Sequence, residues 1–180
     1  MVMLTLKLDD IPDEGLDLEW REDLPALSEY LETLSEIDFR FEAPLHSEAK
    51  IRKVGRSILI KGSVMATLRL QCVRCLKEYV YPITSPFEVI LQPAREIDFP
   101  EEMDLSRDDL ALDFFEGGEL QLSEIACEQV FLEIPIQPLC QETCRGLCPH
   151  CGTDLNVSTC GCHEEALDSR FSRLKEWKLH

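Results

Sequence analysis

Apolar and polar residues alternate along several stretches of this chain, which is the period of a half-buried β-strand. The alternation predicts strands over 2–8, 37–41, 49–54, 57–70 and 79–91. A further short strand is predicted around 110–114. Gly62 either weakens the strand over 57–70 or marks a bulge in it. That strand runs directly into Cys72 and Cys75, and the strand over 79–91 follows. We therefore expect an antiparallel hairpin with the C-x-x-C at its turn.

Apolar residues at helical spacing predict three helices. Within 17–36 these residues are Leu24, Leu27, Leu31 and Leu34. Pro25 fits the first turn of this helix, which makes Asp23 its expected cap. A second helix, capped by Ser123, is expected over 124–132, and its buried residues would be Ile125, Val130 and Phe131 or Leu132. A third helix is expected over 163–178, with one face formed by Phe171, Leu174 and Trp177.

Together these elements predict an α+β fold, with an antiparallel β-sheet, flanking helices and a C-terminal zinc-knuckle module. The chain has 180 residues, enough for one ordinary domain and a small metal module. We expect an α+β domain over 1–138 that contains the C-x-x-C hairpin. A cysteine-rich module with the last helix packed on it is expected over 139–180. Residues 93–118 are predicted to form a long acidic loop that ends in a turn.

Cysteines supply the strongest chemical pattern in the chain. Eight of the nine cysteines form close pairs, namely Cys72/Cys75, Cys140/Cys144, Cys148/Cys151 and Cys160/Cys162. A structural zinc site takes four ligands, so eight thiolates predict two zinc ions. The N-terminus lacks the features of a secretory signal, and no apolar run is long enough to cross a bilayer. We therefore expect a cytoplasmic protein with no membrane partner, where close cysteine pairs bind metal instead of forming disulfides.

Two pairings of these cysteines are compatible with their spacing. In the first, the local pairs Cys148/Cys151 and Cys160/Cys162 share one ion, and Cys72/Cys75 meets Cys140/Cys144. In the second, the two C-x-x-C pairs share an ion, as in zinc ribbons. Spacing alone does not choose between them, although the locality of the last two pairs favours the first.

The remaining cysteine and the histidines receive simpler interpretations. Cys127 lies in a predicted helix among apolar residues, so a buried, inert thiol is expected there. His150 is expected to point outward from its C-x-x-C turn. His163, beside Cys162, is the candidate substitute ligand, and His46 and His180 are expected to lie in solvent.

Charge is distributed unevenly around a net value of −17. Residues 9–46 contain 2 basic and 13 acidic side chains, 47–82 contain 8 and 2, and 88–133 contain 2 and 14. A field this negative repels phosphate and argues against a stand-alone duplex-DNA binder. The basic stretch supplies the candidate RNA contacts Arg52, Lys53, Arg56, Lys61, Arg69, Arg74 and Lys77. A purely solvated face of a sheet is the competing interpretation of these side chains.

Several of these segments resemble the YceD family, the large ribosomal RNA subunit accumulation proteins. The resemblance extends over 37–175 and rests on an ordered set of segments: Cys72-Val-Arg-Cys75-Leu, Glu133-Ile-Pro-Ile-Gln-Pro-Leu-Cys140, Cys144-Arg-Gly-Leu-Cys148-Pro-His-Cys151-Gly-Thr-Asp-Leu-Asn156 and Asp168-Ser-Arg-Phe-Ser-Arg-Leu174. Ser169 departs from the family, which often has proline there. More divergent members keep the first C-x-x-C and a pair near Cys140 and Cys144, which favours the first pairing.

The resemblance implies a role in ribosome biogenesis in the bacterial cytoplasm and no enzymatic reaction. Our hypothesis is a non-enzymatic factor that supports accumulation of large-subunit (23S) ribosomal RNA. Its acidic surfaces over 9–46 and 88–133 would hold a basic ribosomal protein, or its basic strands would contact an rRNA precursor. The alternative is a zinc-dependent or thiol-redox enzyme that acts on RNA or nucleotides. Closed all-thiolate sites favour the binding protein over the enzyme.

Overall fold

The computed structural model describes residues 3–34, 39–94, 112–115 and 117–162. The elements, in chain order, are β1 (Thr5–Lys7), a 3₁₀ turn (Leu8–Asp10), β2 (Leu16–Glu22), α1 (Leu24–Thr33), β3 (Arg40–Phe41), β4 (Leu45–Val54), β5 (Ser57–Gln71), β6 (Glu78–Pro93), β7 (Leu112–Phe115), β8 (Glu119–Gln121) and α2 (Leu122–Leu132). None of the helices among these residues is long and apolar enough to cross a membrane.

Six strands form the main sheet in the order β2-β4-β5-β6-β7, with β3 paired to β5 beyond the end of β4. All its pairings are antiparallel except that of β6 with β7, which is parallel. In the described part of the chain, β1 and β8 form a separate antiparallel pair. The predicted α+β fold with a mainly antiparallel sheet and flanking helices is therefore confirmed.

One face of the main sheet forms the hydrophobic core. Its strands bury alternate residues, as period 2 requires, and the largest contributors from β4 and β5 are Leu45, Ile51, Ile60, Val64 and Leu68. Leu27 of α1 and Ala126 and Val130 of α2 are fully buried against this face. On β2 and β4 the opposite face presents exposed charged side chains, among them Asp17, Glu19, Glu48 and Lys50.

The hairpin of β5 and β6 extends beyond β4, whose pairing with β5 ends at Met65, and beyond β3, whose pairing ends at Arg69. Its register runs without interruption from the Ile58–Leu91 pair to the Gln71–Glu78 pair, so residues 72–77 form its tip. The predicted hairpin with Cys72 and Cys75 at its turn is what the structure contains. The weak point expected at Gly62 is not a bulge, because the register stays regular on both sides.

Several local expectations need correction. The helical segment predicted over 17–36 is wrong at its start, because its first residues belong to β2, in which Leu18 and Trp20 alternate with charged neighbours. β8 was also missed, and Leu8 belongs to the 3₁₀ turn instead of the first strand. α1 begins where expected, but the Asp23 side chain makes no capping hydrogen bond.

The start of α2 also differs from expectation. Gln121 occupies the cap position, and Ser123 lies inside the helix, fully buried. The Leu4 amide donates to the Ser123 hydroxyl at 2.9 Å, and that hydroxyl also hydrogen-bonds the carboxylate of buried Glu22. Ser123 therefore joins α2 to β2 and to the residue before β1. At the other end Phe131 packs on the core, whereas Leu132 is 78% exposed.

Parts of the prediction lie outside the described residues. These are the start of the first strand at Val2, residues 35–36 of the first helical segment, residues 37–38 of the second strand, most of the acidic loop, the helix over 163–178, His163 and His180. The division into domains over 1–138 and 139–180 stays a prediction.

Candidate metal centres

Four cysteines meet where the tip of the β5–β6 hairpin contacts the segment after α2. Their Sγ atoms all lie within 4.8 Å of one another, and we call this set, Cys72, Cys75, Cys140 and Cys144, the inner cluster. Cys72 Sγ lies 3.8 Å from Cys144 Sγ, and Cys75 Sγ lies 3.6 Å from Cys140 Sγ. Three of the four residues are buried, and Cys140 is partly buried. The cluster is therefore largely enclosed, and it brings together cysteines that are separated by 65 and by 72 residues in the sequence.

Backbone hydrogen bonds shape the hairpin tip so that its two thiols converge. The Cys72 amide donates to the Lys77 carbonyl at 2.9 Å, and the Leu76 amide donates to the Cys72 carbonyl at 2.9 Å. Leu76 has a φ of 60°, the left-handed conformation that reverses the chain after a C-x-x-C at some steric cost. The Val73 amide donates to the Pro138 carbonyl at 3.0 Å, which holds the incoming segment against the tip.

The other four cysteines form a second set, Cys148, Cys151, Cys160 and Cys162, which we call the outer cluster. Its Sγ atoms also lie within 4.8 Å of one another. Cys148 is buried and Cys160 partly so, whereas Cys151 and Cys162 are exposed. Gly152, with a φ of +73°, donates its amide to the Cys148 carbonyl at 2.9 Å and closes the turn after the C-x-x-C.

The spacing of the sulfurs fits a tetrahedral ion. A Zn–S bond is about 2.3 Å long, which places the sulfurs of a regular tetrahedron about 3.8 Å apart. The inner-cluster separations of 3.6 and 3.8 Å agree with this value. Each cluster could therefore hold one zinc ion, with Cys72, Cys75, Cys140 and Cys144 as ligands of one and Cys148, Cys151, Cys160 and Cys162 of the other. The thiols come together in the first of the two pairings compatible with the spacing.

Proton affinities within the inner cluster are unequal. Burial raises the pKa of Cys72, but hydrogen bonds from the backbone of Cys140, Cys75 and Arg74 outweigh it and bring the pKa to about 6. Burial raises the pKa of Cys140 to about 12, and the neighbouring thiols Cys75 and Cys144 add to this effect. A metal-free cluster thus combines a readily ionised thiol with one that keeps its proton, and a bound cation would displace that proton.

The outer cluster has the same asymmetry. The Thr153 hydroxyl, 3.1 Å from Cys151 Sγ, and the Thr153 amide lower the pKa of Cys151 to about 6, helped by hydrogen bonds with Cys148 and Cys162. The pKa of Cys162 rises to about 12, first through its hydrogen bond with Cys151 and then through desolvation.

Close backbone contacts pack the segment 144–157 onto the hairpin tip. The Leu147 amide donates to the Arg74 carbonyl at 2.9 Å. Gly146 is required there, since its φ is +75° and a Cβ atom would lie 2.8 Å from the Arg74 carbonyl oxygen. Arg74 Nη1 in turn donates to the Cys144 carbonyl at 2.8 Å, and Lys77 Nζ lies 2.5 Å from Asp154 Oδ2. Two candidate RNA contacts therefore position the cysteine-rich segment.

The other candidate RNA contacts differ in their surroundings. Arg69 forms a bidentate ion pair with Glu42, and Lys61 Nζ lies 2.8 Å from the Glu88 carboxylate. Lys53 donates to the Ile11 carbonyl at 2.8 Å. Arg52 and Arg56 are exposed, the first on the open face of the sheet and the second in the turn between β4 and β5. RNA contact by these residues stays a prediction.

Asp154 and Asn156 were not singled out from the sequence as functional residues. Asp154 Oδ1 accepts from the Asn156 amide at 2.9 Å, and Asn156 Nδ2 donates to Cys144 Sγ at 3.5 Å. The available signal was their position, as hydrogen-bonding side chains between two predicted ligand pairs. Cys127 is fully buried with its pKa raised to about 12, first by desolvation, as expected of an inert thiol. His150 and His46 are exposed, as predicted.

Fold and site together define an α+β protein whose long hairpin meets a cysteine-rich segment at two four-thiol clusters suited to metal. The family model described as "Large ribosomal RNA subunit accumulation protein YceD" matches residues 60–178. This match covers about two thirds of the chain, and the protein belongs to the YceD family.

Known relatives occur in bacteria and in a plant. A protein of Mycobacterium tuberculosis named as uncharacterised is 31% identical over 139 residues, which is 74% of this chain and 62% of the relative. A Mycobacterium leprae protein named likewise is 26% identical over 134 residues, 74% of this chain and 59% of the relative. The chain thus spans about three fifths of the length of these relatives.

A third relative has a functional name. The chloroplastic "Large ribosomal RNA subunit accumulation protein YCED homolog 1" of Arabidopsis thaliana is 26% identical over 158 residues, 76% of this chain and 49% of that protein. No solved structure matches this chain.

Proposed function

We propose that this protein is a non-enzymatic factor of the bacterial cytoplasm that supports accumulation of large-subunit (23S) ribosomal RNA during ribosome biogenesis. The proposal rests on the family match over 60–178, since the family is named for this role. The name of the plant relative agrees with it. Within this function the two zinc ions are structural, and they fix the segment after α2 onto the β5–β6 hairpin.

The donor set supports a structural role for the metal. Each cluster supplies four thiols within 4.8 Å of one another, which is the full coordination of zinc. A catalytic zinc ion keeps one position open for water or substrate and usually has histidine or carboxylate ligands. Closed sulfur sites of this kind favour a binding protein over a zinc-dependent enzyme.

Charge on the described surface favours a basic partner. An open cleft of about 730 Å³ lies beside β7, β8 and the start of α2. Its acidic lining residues, beside the exposed ring of Phe114, are Asp9, Asp113, Glu119, Glu124 and Glu128. Burial raises the pKa of Glu128, and the carboxylates of Asp113 and Glu124 raise it further. Cationic side chains of a ribosomal protein would relieve this repulsion.

Direct contact with an rRNA precursor is the other form of the proposal, and the open sheet face is the surface that would make it. Lys50 and Lys61 lie opposite one another there, with Arg52 alongside. However, Lys50 is within 3.7 Å of Asp17 and Lys61 within 2.8 Å of Glu88. Since these charges already have partners, less of the binding free energy that counterion release provides is available to RNA.

Crosslinking in cells followed by identification of bound protein and RNA tests the proposal. Cells depleted of the protein would be complemented with wild type, with a cleft variant (Glu119→Gln, Glu124→Gln and Glu128→Gln) or with a sheet variant (Lys50→Gln, Arg52→Gln and Lys61→Gln). We expect the wild type to restore the ratio of 23S to 16S RNA and to crosslink to precursors of the large subunit. Loss of crosslinking and of restored 23S RNA in the cleft variant alone identifies a basic protein partner.

The same two variants separate the outcomes. Failure of the sheet variant alone identifies direct RNA contact. A normal 23S level in depleted cells, with the protein absent from every pre-ribosomal fraction, would refute the proposal. A reversible disulfide between Cys72 and Cys75, or an ion with an open coordination position, would favour the enzyme instead.

A further inference from the structure

One side chain, that of Asn156, links the loop of the outer cluster to a ligand of the inner cluster. Its Nδ2 donates to Cys144 Sγ at 3.5 Å and to Asp154 Oδ1 at 2.8 Å, while its Oδ1 accepts from the Arg145 amide at 2.7 Å. The amide group is thus oriented by contacts on both of its ends. The orientation directs an N–H toward the sulfur of a predicted ligand.

The position of Asn156 in the chain links this contact to the outer cluster, although the ion pair of Lys77 with Asp154 also holds its loop. Asn156 lies between Cys151 and Cys160, which both belong to that cluster. Its segment is tied at one end by the hydrogen bond from the Cys148 amide to the Thr153 carbonyl at 2.8 Å. The hydrogen bond from the Leu155 amide to the Gly146 carbonyl at 2.9 Å ties the middle. At the far end Cys160 is partly exposed and Cys162 is exposed, and an ion would be the main contact that holds them.

We propose that Asn156 is a positioning residue that couples the two metal sites. An ion in the outer cluster closes the loop over 148–162, which keeps Asn156 on Cys144 and raises the affinity of the inner cluster for its ion. The N–H of Asn156 donates to the Cys144 sulfur and orients it, as partners of metal ligands generally do. Because linkage is reciprocal, an ion in the inner cluster raises the affinity of the outer cluster by the same factor.

The difference in burial between the two clusters sets the order in which their ions are lost. The outer cluster has two exposed cysteines, whereas the inner cluster has three buried ones. A chelator therefore reaches the outer ion first, and removal of that ion loosens the loop that presents Asn156 and weakens the inner site. Depletion of zinc would loosen the hairpin tip in two linked steps. This inference rests on the proposed function, in which both clusters hold zinc.

Competition for zinc between the full-length protein and a chromophoric chelator tests the coupling. Removal of the inner ion is identified as the step that disappears in a Cys140→Ser, Cys144→Ser variant. We expect Asn156→Ala to weaken the inner site about 10- to 100-fold while two ions still bind. Asn156→Asp keeps the shape but turns a carboxylate oxygen toward the sulfur, so it should weaken the site more. Ser158→Ala is the matched control, since its hydroxyl contacts the Asp154 carbonyl at 3.3 Å.

A double-mutant cycle distinguishes coupling from two independent effects. Cys160→Ser with Cys162→Ser empties the outer site and should weaken the inner one by a factor similar to that of Asn156→Ala. Combining these changes should then add little, because both remove the same contact. Cobalt in the inner site reports the same loss as a shift of its thiolate charge-transfer absorption, which a merely structural role would leave unchanged.

The outcomes separate the coupling from metal binding itself. If wild type binds two ions and the two losses are additive, or Asn156→Ala leaves the inner affinity unchanged, the coupling is refuted and the metal sites stand. If wild type binds no zinc, the metal sites are refuted and the coupling with them, while the role in 23S accumulation is still tested by complementation.

Discussion

Lys77 Nζ lies 2.5 Å from Asp154 Oδ2, and this ion pair joins the tip of the β5–β6 hairpin to the loop of the outer cluster. The ammonium of Lys77, followed by the N–H groups of Asn156, lowers the pKa of Asp154 to about 2. Asp154 in turn orients Asn156 through hydrogen bonds to its backbone and side-chain nitrogens. A lysine that the sequence suggested for RNA contact therefore helps to position the surroundings of the inner cluster.

Replacing this lysine should loosen the cysteine-rich segment without unfolding the domain. In Lys77→Gln we expect faster hydrogen exchange of the Leu155 and Val157 amides, because the loop over 154–158 loses its anchor. Lys77→Arg should keep most of the protection. Lys61→Gln, which removes an equally exposed lysine from its ion pair with the more exposed Glu88, is the control. Equal exchange in Lys77→Gln and wild type would contradict the anchoring role.

Metal removal should separate the two clusters. Wild type is expected to contain two zinc ions per chain, and either Cys72→Ser with Cys75→Ser or Cys160→Ser with Cys162→Ser should leave one, as measured by elemental analysis. The first pair should lower the melting temperature more, because the inner ion joins segments 65 and 72 residues apart. An ion at a free concentration of one hundred times its Kd stabilises by about 2.7 kcal/mol. Identical melting of both variants and wild type would contradict a structural role for the metal.

Cys127 should be unreactive in the folded protein. It has no exposed surface, and its pKa is raised to about 12, chiefly by desolvation. An alkylating reagent should therefore modify no thiol of the zinc-loaded native protein, and all nine after unfolding with a chelator. Cys127→Ala should lower the free energy of unfolding by about 1 kcal/mol. Rapid alkylation of Cys127 before zinc release would show that the core opens there.

Gly62 should be intolerant of a side chain. A Cβ atom at this position would lie 2.2 Å from the Glu48 carbonyl oxygen and 3.0 Å from the Ala49 Cα. Gly62→Ala must therefore push β4 away from β5, and we expect a loss of about 1–3 kcal/mol in the free energy of unfolding by urea. Gly118→Ala is the matched control, since nothing lies within 4 Å of its added Cβ. Equal stability of the two variants would refute this close approach.

Arg69 should control the titration of Glu42. Hydrogen bonding to Arg69 lowers the pKa of the Glu42 carboxyl despite some desolvation, and Arg40 adds to the effect. Because the folded-state pKa is depressed, the contribution to stability is present above the unfolded pKa of about 4.3 and is lost as the pH falls through the folded value.

In Arg69→Gln the pKa of Glu42 should therefore rise, as followed by NMR titration of its carboxyl carbon. Arg40→Gln should raise the same pKa by less, since Arg40 is the lesser cause. An unchanged pKa in Arg69→Gln would contradict the pairing. It would also return Arg69 to the set of cations available to RNA.

Local sequence patterns were sufficient for the elements that contain the site. Alternation in β5 and β6 located the hairpin, because residues two apart face the same side of a strand. It failed for β2, where the outward residues Asp17, Glu19 and Arg21 are charged, because the helical segment predicted over 17–36 includes most of this strand. The prediction that Ser123 caps α2 also failed. Its hydroxyl hydrogen-bonds the buried carboxylate of Glu22 inside the helix instead of capping the helix start.

By itself the sequence determined the cysteine pairs and the hairpin between Ser57 and Pro93. A C-x-x-C turn and an alternating strand both depend on a few neighbouring residues. Only the tertiary structure decided that Cys72 and Cys75 face Cys140 and Cys144, and that Asn156 reaches Cys144. Such contacts depend on where a six-stranded sheet places the tip of its longest hairpin, and no local spacing contains that distance.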